Sequence, residues 1–128
     1  MMNPKAAIKS QYLASLAMLR EAIEKCPDSL WQDTTYKNTF WYVAYHALYF
    51  THLYLQPSKE AFVLWEKDPE EIVSLKDRAK VEKAAFSKAD ILLYLDFCLM
   101  QVEEQVDALN LDSESGFDWL PFNKLELQ

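Results

Sequence analysis

The chain has 128 residues, 51% of them hydrophobic, one glycine and a net charge of −7. That apolar content supports a packed core and excludes disorder. One glycine is too few for the turns of a sheet protein, and the acidic balance argues against nucleic-acid binding, which rests on Lys and Arg neutralising phosphates. The length fits a single domain, residues 1–128, of the all-α class.

Asn3-Pro4 opens the first helix, because asparagine is a strong N-cap and proline suits the first helical position. Ile8, Tyr12, Leu16, Leu19 and Ile23 follow at spacings of four, four, three and four, one apolar stripe over about five turns. Pro27 ends the helix, and residues 28–37 form a connector carrying Leu30 and Trp31.

Residues 38–58 contain no Asp, Glu, Lys or Arg. Their centre, residues 40–55, reads FWYVAYHALYFTHLYL; seven of the sixteen residues are aromatic, and both histidines of the chain lie within it. The length without Gly or Pro, and the lack of alternation, predict a helix over 39–55 that stops before Pro57. A helix apolar on every side is buried in a core or spans a membrane. Here tyrosines and histidines are scattered along the segment rather than gathered at its ends, and the flanks are not basic. The segment therefore reads as a central, nearly all-round-buried helix, with no membrane partner.

Residues 57–86 are mixed and charged, and Pro69 interrupts them. They predict one or two short helices in a long crossover, which suits second and third helices running parallel. Ser87 and Asp90 form a capping-box-like pair. Ile91, Leu95, Leu99, Val102, Val106 and Leu109 then recur at helical spacing. After a polar DSESG turn, FDWLPFNKLELQ begins a new amphipathic pattern, with Pro121 suited to the first turn. The expectation is three helices and the start of a fourth, a bundle incomplete at its C-terminal end. Cys26 and Cys98 sit in helical patterns and read as buried small hydrophobes of a reducing compartment; with no signal peptide visible, the cytoplasm is expected.

His46 and His52 are separated by about 120° around a helix, so they do not form an i, i+4 chelate. His46 has Tyr42, Val43, Tyr49 and Phe50 as helical neighbours. A neutral imidazole in that setting is either a hydrogen-bonded core histidine or a metal ligand. His52 reads as a polar residue at the bundle mouth. No phosphate loop, no C-x-x-C and no nucleophile–His–acid arrangement is present.

The string FWYVAYHALYFTHLYL, with Trp31 upstream, resembles the second helix of the DinB-like superfamily of bacterial helical proteins. SKADILLYLDFC, residues 87–98, resembles that family's third helix, and GFDWLPFNKLELQ, residues 116–128, resembles the segment leading into its fourth. The resemblance implies an up-down-down-up four-helix bundle with a long crossover between helices 2 and 3. It also implies a divalent metal, zinc or nickel, on three histidines. His46 matches the one from the second helix. The other two come from an H-x-x-x-H pair on the fourth helix, for which this sequence has no matching residues, so the chain is expected to be cut short before them. Relatives include metal-dependent thiol S-transferases. On that reading His46 is a metal ligand, Tyr42, Tyr49 and Phe50 wall the pocket, and the partner is a small-molecule thiol. The alternative is a non-catalytic helical module that forms a homodimer.

Overall fold

The computed structural model describes residues 3–35 and 37–128; Tyr36, inside the predicted connector, and the first two residues lie outside that set. The described residues hold helices and no named strand; one isolated bridge joins Glu114 and Asn123. Three long helices carry the architecture: α1 (Pro4–Lys25), α3 (Phe40–Tyr54) and α5 (Lys88–Ala108). The short α2 (Asp28–Trp31), α4 (Arg78–Lys83) and α6 (Lys124–Leu127) complete the set. No helix among them is long and apolar enough to cross a membrane.

The ends form for local reasons. Asn3 accepts from the Lys5 amide, with Pro4 at the first helical position. Ser87 accepts from the Asp90 amide at the start of α5. Pro121 does not open the last helix as expected. Asn123 does, because its side chain and that of Glu126 form a reciprocal capping box that satisfies two otherwise orphaned amides.

α5 is the hub, packed against both α1 and α3. Its contacts set the directions. Lys5 and Lys9 of α1 bond Asp107 near the C-terminal end of α5, while Arg20 pairs with Asp96, so α1 runs antiparallel to α5. Along α3, Tyr45 meets Tyr94, the Leu48 carbonyl meets Cys98 and Gln56 just beyond meets Gln101, so α3 runs parallel to α5. Parallel neighbours need a long return, and residues 55–87 supply it. That crossover includes a 3₁₀ turn (Ile72–Ser74) and α4, and it places Trp65, Ile72 and Phe86 in the core.

The central helix departs from the expected all-round burial. Its inner face, including Trp41, Tyr45, Leu48 and His52, is buried, but Val43 is 54% exposed, and His46 and Ala47 are exposed as well. α5 packs against both α1 and α3, which make little contact with one another, and this leaves Ala47 uncovered. A groove of about 410 Å³ remains there, lined by Ile8, Tyr12, Leu16 and Leu19 of α1, Ala47 and Thr51 of α3, and Gln128.

The C-terminal segment is pinned at the far end of α3. Gly116 adopts φ +87, a left-handed conformation that suits glycine, and a Cβ there would collide with the Pro57 carbonyl oxygen. Lys124 is 3% exposed, its ammonium donating to the Gln56 and Ser115 carbonyls above the Phe117 ring.

Candidate functional site

α3 carries polar groups on two sides, and the two sides have different chemistry. Inward, Tyr45 donates its hydroxyl proton to Asp68, and Asp68 also accepts from the Ile72 amide at 3.0 Å. Tyr49 donates to Glu71 at 2.6 Å. Both carboxylates come from the crossover, where Glu71 sits in the left-handed region (φ 52) and turns the chain into the 3₁₀ turn. Burial pushes the Asp68 carboxyl pKa up, while the bonds from Tyr45 and Ile72 pull it back. Burial likewise raises the phenols of Tyr45, Tyr49 and Tyr94, so they act as neutral donors.

His52 belongs to this inner side. It is 2% exposed rather than at an open mouth, and its Nδ1 lies 2.9 Å from the Tyr94 hydroxyl. Phe62 and Phe97 pack against the ring with centroids at 4.6 and 4.9 Å. Burial lowers its pKa to about 4, so the imidazole is neutral at physiological pH. Trp65 lies flat on Tyr94 at 4.3 Å and fixes the phenol that holds the imidazole. A cleft of about 460 Å³ opens beside His52.

Outward, His46 is exposed, and among the described residues none hydrogen-bonds its ring. Its neighbours are aromatic: Phe50 at 4.7 Å and Tyr42 at 6.1 Å between centroids. The structure thus brings Tyr42, His46 and Phe50 together as one strip along α3, as their spacing of four dictates. Tyr49 is adjacent but turned away. It touches Phe50 edge-on at 5.1 Å, and its hydroxyl is committed to Glu71.

Among the described residues, no three His, Cys, Asp or Glu side chains converge on a point that could hold a metal ion. Structural and catalytic zinc sites need at least three protein ligands. The described residues offer one free imidazole, His46, and do not by themselves make a metal centre.

Sequence reasoning passed over Asp68, Glu71 and Trp65, because they lie in the mixed, charged stretch with no helical period. The available signal was a tryptophan followed by Asp68-Pro69 between two charged runs, a large apolar anchor beside a turn former. No family model matches the chain, and no curated protein or solved structure does.

Proposed function

We propose that this chain is a DinB-like helical bundle of the metal-dependent thiol S-transferase type, with His46 as one ligand of a divalent cation, zinc or nickel. Three features support the reading. The long helices α1, α3 and α5 run up, down and down. The connection from α3 to α5 is long. An open groove, lined mainly by apolar side chains of α1, separates α1 from α3. The observation that carries it is His46 itself: an exposed imidazole with no hydrogen-bond partner among the described residues, flanked by Tyr42 and Phe50. A buried core histidine would have been engaged, as His52 is.

On this proposal the remaining ligands come from groups other than the described residues. A metal centre of this kind lowers the pKa of a bound thiol, and Tyr42 and Phe50 would wall the thiol's approach. Tyr49, whose hydroxyl is taken by Glu71, would contribute only its ring. Two buried free cysteines suit a cytoplasmic setting, and the net charge of −7 argues against a nucleic-acid partner.

The test is metal analysis of the purified full chain, in every length in which it is expressed, beside His46→Ala. Stoichiometric zinc or nickel that is lost in His46→Ala supports the reading; equal metal content in both refutes it. A second reading, a non-catalytic homodimer, draws on the exposed Val43 and the open α1–α3 groove. Light scattering that gives a dimer for the wild type and a monomer for Val43→Glu would favour it.

A further inference from the structure

We propose that the cleft beside His52 binds a small, neutral, flat heterocycle that presents a hydrogen-bond acceptor next to a donor, as a lactam or a nucleobase edge does. This site is separate from the His46 strip and does not depend on a metal.

The hydrogen bonds fix what the cleft offers. Tyr94 is 1% exposed, and among the described residues its hydroxyl bonds His52 Nδ1 alone. A buried phenol donates its proton when an acceptor is in reach. The Tyr94 O–H therefore points to Nδ1, and the imidazole proton sits on Nε2. Among the described residues no fully enclosed side-chain nitrogen or oxygen lacks a partner. Nε2 has no partner among the described residues, so it opens to the cleft that His52 lines, as a donor.

Gln56 supplies the acceptor. Its amide nitrogen donates to the His52 carbonyl at 3.0 Å and to Gln101 Oε1 at 2.8 Å, which uses both hydrogens and fixes the orientation of the amide. The Gln56 side chain is buried, yet its Oε1 is unpartnered, so by the same reasoning that oxygen also reaches the cleft. Gln101 accepts from Gln56 through Oε1 and leaves its NH₂ free as a second donor. Gln105, one turn on, adds another amide. The lining thus presents a donor, an acceptor and a donor, between the apolar surfaces of Trp65 and Phe97.

The same lining excludes other ligands. No Lys or Arg lines the cleft, and Glu66 does, so phosphates and carboxylates find no counter-charge. The neutral imidazole stays a single directed donor rather than a cation. The volume of about 460 Å³ suits a one- or two-ring compound. Three unpaired, directed polar atoms reject ligands that lack the complementary edge, because a mismatched ligand would cover them without pairing them.

The experiment is NMR on the full chain, labelled with nitrogen-15, titrated with uracil and with nicotinamide, and with benzoate and inorganic phosphate as anionic controls. The expected result is a saturable shift of the His52 ring and of the Gln56 and Gln101 amides with a neutral heterocycle, and none with the anions. Gln101→Glu keeps the oxygen that accepts from Gln56 but replaces the free donor, and should weaken binding at least about tenfold. Gln105→Leu should weaken it several-fold and serves if Gln101→Glu does not fold. His46→Ala should bind normally, which separates this site from the metal reading. The proposal is overturned if neither heterocycle shifts these resonances, if the anions shift them equally, or if the glutamine variants bind as tightly as the wild type.

Discussion

Replacing His52 with glutamine should remove most of the acid sensitivity of this fold between about pH 7.5 and pH 5. In the folded chain burial lowers the imidazole pKa to about 4, against an ordinary value of 6.5. A depressed histidine pKa means that the unfolded chain binds more protons than the folded one between these two values, so stability rises with pH there. The contribution is complete above pH 6.5 and is lost as the pH falls toward 4. Integrating the linkage from neutral pH down to about pH 5 gives a loss of about 2 kcal/mol, approaching about 3.4 kcal/mol below the folded pKa. That is a large share of the stability of a single domain, about 5–15 kcal/mol. Asp68 works in the opposite sense, since its pKa is raised on folding and its contribution is lost as the pH rises. It therefore cannot produce the loss on acidification. The assay is urea unfolding at both pH values. The wild-type midpoint should fall by about 1 M more than that of His52→Gln, whose side-chain oxygen can still accept from Tyr94. An equal fall in both proteins, or an imidazole resonance of His52 that titrates near 6.5 in the folded chain, would refute the reasoning.

Three further perturbations probe the packing. Gly116→Ala forces an L-residue into φ +87 with its Cβ against the Pro57 carbonyl, and should cost at least about 1–3 kcal/mol, read as a lower melting temperature. Asp68→Ala strands the Tyr45 hydroxyl and the Ile72 amide, and should cost about 2–4 kcal/mol; a cycle with Tyr45→Phe should recover a coupling of about 1 kcal/mol or more. Arg20→Ala breaks the pair with Asp96, but both side chains are solvated, so chemical denaturation should register less than about 1 kcal/mol.

The long helices were legible because each obeys one rule along its whole length. The stripe from Ile8 to Ile23, the charge-free stretch before Pro57 and the repeat from Ile91 to Val106 all name elements that exist within a residue or two of the expected bounds. What failed to show was which side of the aromatic helix stays open. A charge-free helix has too little contrast around its circumference for the pattern to reveal a face. Val43, Ala47 and Leu48 look alike in sequence, and only the packing of α5 against α3 buries Leu48 and leaves the other two exposed. The inner polar network was hidden for a different reason. Asp68 and Glu71 are two of many acidic residues in an irregular segment, and nothing local marks the carboxylates that meet a tyrosine from 22 or 23 residues upstream.

The contrast between the two histidines follows from their positions on α3 and bears on both proposals. A metal ligand needs an available nitrogen lone pair. In His52 the Nδ1 lone pair is occupied by the Tyr94 proton and Nε2 carries the hydrogen, so binding a cation there would require moving that proton and leaving a phenol at 1% exposure without an acceptor. The cost of orphaning such a group is about 1–3 kcal/mol, before any charge is brought into a core that already holds the imidazole neutral. His46 has neither obstacle: its ring is exposed and makes no hydrogen bond to any described residue. One helix thus presents an imidazole whose Nδ1 lone pair is committed to Tyr94 on its inner side and an uncommitted one on its outer side. A metal that enters this protein should therefore perturb His46 and leave the His52–Tyr94 pair unchanged, whereas a neutral heterocycle should do the reverse.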